Sequence, residues 1–283
     1  STNDPSALVD SVRGASETLF SDNTNAQANR TSVTAFNSNG FTLGNYTNTN
    51  RNNDTYVAWS LKAGGAAVAN TDGTINTQVS VNNTLGFSIS KYTGNGVSGA
   101  TFAHGLGSQV NLSIVKRTDA TAYWYVYSSL LPSNNNLYLN TSDGKQADGV
   151  MLGGNTTTVS ISASTSVNAN GGQYVAYNFT SKPGFSKVGS YTGTGSAGQY
   201  VVTGFEPAFV MVKTTSSTSN WFILDNKRNS NNPRNSYLMA NSGAAQATAG
   251  TGINFLSNGF ELESTAFNDP ADWIYLAFAA DGS

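Results

Sequence analysis

The chain repeats itself at a constant spacing, and this internal repetition limits its possible folds more than any other feature. The same motifs recur in the same order about 97 to 99 positions apart. The matched pairs are Phe87-Ser-Ile-Ser-Lys-Tyr92-Thr-Gly-Asn-Gly96 with Phe185-Ser-Lys-Val-Gly-Ser-Tyr191-Thr-Gly-Thr-Gly195, Leu112-Ser-Ile-Val-Lys116 with Phe209-Val-Met-Val-Lys213, Trp124-Tyr-Val-Tyr127 with Trp221-Phe-Ile-Leu224, and Tyr138-Leu139 with Tyr237-Leu238. Two full copies of one structural unit are therefore predicted.

A closing-strand motif occurs three times, which predicts a third and shorter copy. Its versions are Tyr56-Val-Ala-Trp59, Tyr174-Val-Ala-Tyr177 and Tyr275-Leu-Ala-Phe278. The outer copies also share a preceding stretch, Phe36-Asn-Ser-Asn-Gly-Phe-Thr-Leu43 and Phe255-Leu-Ser-Asn-Gly-Phe-Glu-Leu262, in which apolar residues alternate around an Asn-Gly pair. That pattern is typical of a tight hairpin. Thr158-Val-Ser-Ile-Ser-Ala163 takes its place in the middle copy.

These matches divide the chain into a first segment (residues 1–65), a linker (66–86), a second segment (87–184) and a third segment (185–283). The stretch Leu8-Val-Asp10-Ser-Val-Arg13 matches Ile223-Leu-Asp225-Asn-Lys-Arg228. The first segment therefore enters at its third predicted strand and lacks the Tyr-Thr-Gly and Val-Lys strands. Only one short strand, Gln78 to Val81, is predicted in the linker. Because the chain opens on Ser1 without an initiator Met, we expect a processed or partial chain.

The fold class predicted is all-β, as tandem β-sandwich repeats of jelly-roll or concanavalin-like type with an incomplete first repeat. Each full copy offers five to seven short strands of β-branched and aromatic residues, bounded by Gly, Asn, Ser and Asp. The fragments Thr93-Gly-Asn-Gly96 and Thr192-Gly-Thr-Gly195 are interpreted as hairpin turns. One short helix within Ser6 to Leu19 is the only helical pattern, from Leu8, Val12, Ala15 and Leu19.

Composition narrows the function classes. Charged residues make up 11% of the chain and the net charge is −2, so the sequence offers no basic stripe for nucleic acid. No apolar run approaches the roughly 20 residues that span a bilayer. Cysteine is absent, which excludes disulfides, thiolate metal sites and Cys nucleophiles. The 4 Trp, 13 Tyr and 14 Phe nevertheless suffice for real hydrophobic cores.

No catalytic, cofactor-binding or metal-binding residue is predicted. His104 is the only histidine, and its counterpart near Thr203 indicates a turn residue rather than a general base. Glycosidases need two opposed carboxylates. Among the glutamates, Glu206 lies in a predicted loop, while Glu261 and Glu263 alternate along one strand face. Asp54, Asp72, Asp143 and Asp148 stand beside turn-forming residues.

Two kinds of ligand contact remain open at this stage. Calcium could use the oxygens of Asp22-Asn23, Asp225-Asn226 or Asn268-Asp269, although none has the spacing of an EF-hand loop. A sugar could stack on a tryptophan. However, Trp59, Trp124, Trp221 and Trp273 all fall in predicted strands, which favours core positions. The ligand-binding residues are therefore not assigned from the sequence, and no cofactor is expected.

A set of motifs resembles a known group of proteins. It comprises Asp10-Ser-Val-Arg-Gly-Ala15, Phe36-Asn-Ser-Asn-Gly-Phe-Thr-Leu-Gly44, Thr55-Tyr-Val-Ala-Trp59 with Lys62-Ala-Gly-Gly65, Tyr92-Thr-Gly-Asn-Gly96 and His104-Gly-Leu-Gly107. Together they resemble an uncharacterised repeat domain of marine tailed-phage virion proteins, especially tail-fibre-like ones. The resemblance implies a lectin-like or laminin-G-like sandwich on the outside of a virus particle. It implies no catalytic or binding residues.

The function expected is a non-catalytic structural virion protein, a phage fibre or adhesin that contributes to host-surface attachment. Its expected partners are further copies of itself, other virion proteins and a host-surface glycan, with no nucleic acid and no membrane insertion. Two alternatives stay open: a carbohydrate-binding lectin-like module of a secreted or cell-surface protein, and a self-assembling surface filament or coat subunit. A polysaccharide depolymerase is the enzymatic alternative.

Overall fold

The computed structural model describes residues 4–280, so the ends of the first and third segments lie outside the described residues. The first segment contains strands β1 (Ala7–Asp10), β2 (Gly14–Phe20), β3 (Ala28–Asn29), β4 (Val33–Asn37) and β5 (Gly40–Leu43), followed by the short helix α1 (Thr47–Asn50). The linker carries two strands, β6 (Val68–Asn70) and β7 (Thr77–Asn82). The strand expected in the linker lies within β7.

The second and third segments follow one plan of eight strands each. The second has β8 (Phe87–Thr93), β9 (Ala100–Ala103), β10 (Leu112–Arg117), β11 (Tyr125–Ser128), β12 (Leu137–Tyr138), β13 (Met151–Gly154), β14 (Thr158–Ile161), helix α2 (Thr165–Asn168) and β15 (Gln173–Phe179). The third has β16 (Ser186–Thr192), β17 (Gln199–Val202), β18 (Pro207–Thr214), β19 (Phe222–Asp225), β20 (Arg234–Met239), β21 (Ala247–Leu256), β22 (Gly259–Leu262), a 3₁₀ turn (Thr265–Phe267) and β23 (Asp272–Ala279).

The strands form antiparallel sheets, as expected for a β-sandwich protein. The sheet orders are β12-β11-β10-β15-β8-β7-β6, β13-β14-β9, β16-β23-β18-β19-β20-β21-β22-β17, β1-β2-β3 and β4-β5. In the second segment, the seven-stranded sheet packs its inner face on the three-stranded sheet. The linker therefore extends the large sheet of the second segment through β6 and β7.

Three apolar clusters are buried, and one of them is shared by all three segments. One cluster belongs to the second segment with Ile75 of the linker, and another to the third segment. The shared cluster includes Leu19, Ile114 and Leu276, one from each segment. Alternate residues of β15 divide between clusters, since Val175 faces the shared cluster and Ala176 faces the sandwich interior. Burial on both faces explains the nearly continuous apolar runs of the central strands.

Contacts between the segments repeat residue by residue. Trp124 Nε1 donates to the carbonyl of Phe20 at 3.0 Å, and Trp221 Nε1 donates to that of Tyr138 at 2.9 Å. The first segment meets the second in this way, and the second meets the third. The third segment in turn contacts the first, since Ser21 Oγ donates to the carbonyl of Ala240 at 2.7 Å. The three segments thus surround the shared cluster.

The helix expected near the start of the chain is wrong, because this stretch forms the β1–β2 hairpin. The Asp10 carboxylate accepts hydrogen bonds from the backbone N–H groups of Val12 and Arg13 at 3.0 and 2.9 Å. This side-chain turn reverses the chain, and Gly14, with φ of 116°, completes it. Paired strands thus replace the helical spacing of Leu8 and Leu19, which pair across the hairpin.

The Thr-Gly fragments are also not hairpin turns. β8 pairs with β7 and β15, whereas β9 lies in the other sheet of the sandwich, so the fragment after β8 crosses between sheets. The buried side chain of Asn168 holds this crossing: its Oδ1 accepts from Asn95 N and its Nδ2 donates to the carbonyl of Val97. Asn268 holds Thr194 and Ser196 in the same way.

Strand register corrects two of the motif matches. Lys116 pairs with Val175, and the equivalent Lys213 pairs with Ile274, so the closing strands align as Tyr174 with Trp273. The match of Tyr174-Val-Ala-Tyr177 to Tyr275-Leu-Ala-Phe278 was therefore shifted. Similarly, Tyr138 corresponds to Met239 rather than to Tyr237. Tyr138 pairs with Tyr125, and Met239 pairs with Phe222, which is the equivalent of Tyr125. Alternating patterns tolerate such shifts until hydrogen bonding fixes the register.

The predicted closing strand of the first segment is not a strand. Residues 54–64 lie outside helices and strands. Its counterparts β15 and β23 each lie between two neighbours, β8 with β10 and β16 with β18. The first segment lacks both neighbours, so Tyr56 to Trp59 has no ladder to join.

Candidate functional site

Two aromatic rings and a carboxylate form an exposed platform on the second segment. Tyr123 is 45% exposed and stacks on Tyr138, with ring centroids 4.8 Å apart and an angle of 18° between the rings. Asp148 is exposed beside them and accepts a hydrogen bond from the Tyr138 hydroxyl at 2.7 Å. We refer to Tyr123, Tyr138 and Asp148 as the tyrosine platform.

Neighbouring side chains and backbone groups hold the tyrosine platform rigidly. Tyr125, on β11, meets the edge of the Tyr138 ring at 5.0 Å and 83°, and Tyr138 pairs with Tyr125 in the strand ladder. The other Asp148 oxygen accepts hydrogen bonds from Asn136 Nδ2 and from Val150 N. Burial, with the hydrogen bond to Asp148, raises the pKa of Tyr138, so the hydroxyl remains a donor. One face of Tyr123 is covered by Tyr138, which leaves the other face for a ligand.

An exposed aromatic face beside a carboxylate suits a sugar. The apolar face of a pyranose stacks on an aromatic ring, and sugar hydroxyls donate to carboxylate oxygens. Asp148 was predicted only as a turn former, and Tyr123 was not singled out. No local signal marked Tyr123, because it precedes strand β11 and the next two residues, Trp124 and Tyr125, are both buried.

His104 occupies a structural position. Its Nδ1 accepts a hydrogen bond from Leu106 N at 3.2 Å, so the proton resides on Nε2, which contacts the carbonyl of Asn155 at 3.2 Å. Thr203 Oγ1 accepts in the same way from Phe205 N at 3.4 Å. Burial lowers the pKa of His104, against opposing effects of Asn155 and Asp72. The geometry fits the interpretation of a turn residue.

The glutamates of the third segment share one partner. Asn254 Nδ2 donates to Glu261 Oε2 at 3.1 Å and to Glu263 Oε1 at 3.0 Å. Both carboxylates therefore lie on one side of the β21–β22 hairpin, where they do not face each other across a cleft. Glu206 lies exposed in the loop before β18.

Each calcium candidate pair has at least one side chain that the protein itself engages. Asp225 accepts from the backbone of Lys227 and Arg228 and from Arg228 Nε at 2.6 Å. Asn268 clamps the crossing loop described above, and Asn23 donates to Asp22. Within residues 4–280, no group of three or more His, Asp or Glu side chains is arranged to hold a metal ion.

Three of the four tryptophans are buried, and the fourth is not. Trp124, Trp221 and Trp273 are at most 2% exposed, whereas Trp59 is 40% exposed. The core position predicted for Trp59 is therefore wrong. Its ring lies 5.6 Å from that of Phe209, edge to face.

A cleft at the junction of the first and second segments is too small for a sugar ring. Its volume is about 110 Å³, below the roughly 300 Å³ of ordinary ligand pockets. Its lining includes Arg13, Lys91 and Asp119. The guanidinium of Arg13 is already bound by Asp10 and by backbone carbonyls, which leaves it nothing to offer a ligand.

The sequence interpretation missed the role of two buried lysines. Lys116 and Lys213 are fully buried at equivalent positions of β10 and β18. Burial lowers the pKa of each to about 8. The sequence did contain a signal for their burial, because a lysine recurs at the same position of an apolar strand in a chain with few charges.

These features define an all-β sandwich protein with an exposed tyrosine platform and equivalent contacts between its successive segments. The chain belongs to the family described as Domain of unknown function (DUF7483), whose match covers residues 1–281. No curated protein and no solved structure matches the chain. Among the helices of the described residues, none is long and apolar enough to cross a membrane.

Proposed function

We propose that the protein is a non-catalytic structural component of a virus particle, a fibre or adhesin that attaches to glycans of the host surface. The resemblance of its motifs to tailed-phage virion proteins supports this setting. The tyrosine platform carries the adhesive part of the proposal, because Tyr123 and Asp148 present an exposed ring face and a carboxylate side by side.

A rigid base favours this use of the platform. Tyr138 is fixed by its strand pairing and by Asp148, so little side-chain entropy is lost when a sugar stacks on Tyr123. A single stacked sugar binds weakly, and a fibre compensates by presenting many copies of one site. The expected assembly with further copies and other virion proteins belongs to the same proposal.

The test compares Tyr123→Ala with Tyr200→Ala on a glycan array and in host-cell adsorption. Tyr200 is 43% exposed on β17, far along the chain from the platform, and provides a matched control. We expect Tyr123→Ala to lose binding at unchanged thermal stability, while Tyr200→Ala binds normally. Equal binding by both variants and the unchanged protein would overturn the glycan site.

The particle location needs its own measurement. Immunogold electron microscopy of purified virions should label an external appendage. Glycan binding without any virion labelling would instead favour the lectin-like module of a secreted or cell-surface protein. Polysaccharide cleavage that disappears on substitution of a carboxylate would contradict the non-catalytic function.

A further inference from the structure

The first segment carries a positive charge at the position where the tyrosine platform carries a negative one. β1 pairs with β2 in the register in which β11 pairs with β12, so the two segments match at one constant spacing. The same spacing relates the β4–β5 hairpin to the β13–β14 hairpin and helix α1 to helix α2. It places Phe20 where the second segment has Tyr138. Arg30 stands where that segment has Asp148.

The guanidinium of Arg30 packs against two aromatic rings. Its Cζ lies 5.5 Å from the ring centroid of Phe20 and 5.0 Å from that of Tyr46. The two rings also contact each other, with centroids 6.3 Å apart. The Arg30 backbone N–H donates to the carbonyl of Ser16 at 2.8 Å, and the Tyr46 N–H donates to that of Thr31 at 3.4 Å. Both side chains are therefore held in place, and the rings cover the flat face of the guanidinium while its edge stays available for hydrogen bonds.

Arg30 differs from the other arginines in having no polar partner for its side chain. Four of the others form ion pairs with aspartates and one donates to a backbone carbonyl: these are Arg13, Arg51, Arg117, Arg228 and Arg234. Within residues 4–280 the Arg30 guanidinium forms no hydrogen bond and no ion pair. Its Nε is buried without a partner, so the two terminal nitrogens are the ones that reach solvent.

The neighbouring side chains explain why the guanidinium is left unpaired. In the second segment the Tyr138 hydroxyl donates to Asp148, whereas Phe20 has no hydroxyl to offer. Glu17 on β2 is close along the ladder, but it pairs with Asn29, whose side chain points to the opposite face from that of the next residue. Asn29 Nδ2 donates to the Glu17 carboxylate at 3.4 Å on that face. The positive charge therefore remains available to a ligand.

We propose that Arg30 and Tyr46 form a second binding site, which takes the carboxylate or phosphate group of an acidic sugar. The two terminal nitrogens of a guanidinium match two oxygens of such a group, and this bidentate geometry gives strong hydrogen bonds. The Tyr46 hydroxyl supplies a further donor, since it also has no partner within the part of the chain that the structure describes. That a sugar carries the anion rests on the proposed function, whereas the anion site itself does not.

The two sites predict different preferences among glycans. The carboxylate of Asp148 disfavours an anionic group beside Tyr123 and suits a neutral sugar, whereas the Arg30 site requires the anion. The net charge of the chain is −2, so the protein as a whole does not attract anions. Anion binding would therefore report on a local site.

The Arg30 Nε–H group makes the proposal measurable. Because it is buried, its proton exchanges slowly with water and gives a signal in spectra of the ¹⁵N-labelled protein. The probes are glucuronate, glucose 6-phosphate and glucose at constant ionic strength. We expect the acids to shift the signal saturably, the tighter of them distinguishing carboxylate from phosphate, and glucose to leave it unchanged. No saturable shift with either acid would overturn the proposal.

Variants test whether Arg30 itself binds the anion, with the Tyr46 amide signal as the readout. Arg30→Gln should lower the affinity about tenfold or more, and Arg30→Lys should lower it less, because lysine keeps the charge without the bidentate geometry. Arg117→Gln is the matched control, since Arg117 also lies over a tyrosine ring, at 6.0 Å, but is paired with Asp119. We expect this control to bind normally.

Equal affinity of Arg30→Gln and the unchanged protein would overturn the site and identify an adventitious ion only. Thermal unfolding checks that each variant is folded, and the titration of the unchanged protein needs no variant. None of these readouts involves Tyr123. Loss of the platform with a retained Arg30 titration would therefore refute the glycan site of the proposed function alone, and the reverse result would refute the second site alone.

Discussion

Lys116 reaches from the second segment to the first, where its Nζ donates to the backbone carbonyl of Thr24 at 3.0 Å. It also donates to the carbonyl of Ala122 at 2.9 Å, within its own segment. Lys213 repeats both contacts one segment further on, with the carbonyls of Ser142 at 3.0 Å and Ser219 at 2.8 Å. Each buried ammonium therefore joins two segments through backbone carbonyls, with only a weaker electrostatic contribution from Asp119 to Lys116 and from Asp143 to Lys213.

The two lysines predict a stability that rises with pH on the alkaline side. Burial lowers each pKa from 10.5 to about 8, so between these values the unfolded chain holds protons that the folded chain has released. The free energy of unfolding then increases with pH, by on the order of 1 kcal/mol per lysine up to about pH 9.5. Below about pH 8 this contribution is constant.

The measurement is urea unfolding at several pH values for the unchanged protein and for Lys116→Met with Lys213→Met. We expect the double variant to remain folded, because Met fills a similar apolar volume, and to lose the alkaline rise. Lys91→Met, at an exposed position of β8, should keep it. A rise of the same size in the double variant would show that other groups cause it.

His104→Thr should preserve the fold and change the acid side of the stability profile. Burial lowers the pKa of His104, so below about pH 6.5 the unfolded chain takes up a proton more readily than the folded chain. Stability is thus lost as the pH falls. We expect the substitution to lower the free energy of unfolding by at most about 2 kcal/mol at pH 7. Between pH 7 and pH 5 the free energy of unfolding should fall less in the variant than in the unchanged protein. Thermal unfolding followed by circular dichroism measures both, and a variant unfolded at pH 7 would refute the equivalence with Thr203.

Removal of one partner of the Asp225–Arg228 ion pair should destabilise the protein more than removal of both partners. The same pair occurs as Asp10 and Arg13, each with a 2.6 Å contact, whereas the second segment has Ser128 and Leu131 instead. Asp225→Ser leaves the Arg228 guanidinium largely buried and unpaired, and we expect a loss of about 3–5 kcal/mol. Adding Arg228→Leu should recover much of that loss.

Denaturant unfolding of the two single variants and the double variant gives the coupling energy. Burial favours a raised pKa for Asp225, but hydrogen bonds from Arg228 and Lys227 outweigh it and lower the pKa. The contribution of the pair is therefore present above about pH 4 and is lost as the pH falls through the lowered pKa. Additive losses in the two single variants would contradict the coupling.

Asn268→Ala should destabilise the third segment, while Asn50→Ala should not destabilise the first. The buried Asn268 amide satisfies Thr194 N and the carbonyl of Ser196, and its removal leaves these groups unpaired at a cost of about 1–3 kcal/mol. The exposed Asn50 holds no such loop, so we expect a change within about 0.5 kcal/mol. Hydrogen exchange of the Thr194 amide supplies the local readout. Equal effects of both variants would show that the lost contacts to the loop do not cause the destabilisation.

The sequence sufficed for the all-β class and for most strands of the second and third segments. Apolar alternation and repeated turn residues are local properties, so β8, β10 and β18 could be predicted without knowing what they contact. It did not suffice for register, since Tyr174 and Trp273 correspond although the Tyr-x-Ala motif suggested a shifted match. A two-residue shift keeps every side chain on its face, so only the hydrogen-bonded neighbours decide between the two.

The sequence could not predict the tyrosine platform or the exposure of the β4–β5 hairpin, for a different reason. Tyr123 and Tyr56 have the same local pattern as buried aromatic residues, and exposure depends on which strands arrive from elsewhere. The β4–β5 and β21–β22 hairpins make this point directly, because equivalent residues are core in one and surface in the other. The sequence by itself determined which residues form strands, since that depends on near neighbours. The tertiary structure decided which faces are buried, because burial depends on the distant strands that cover them.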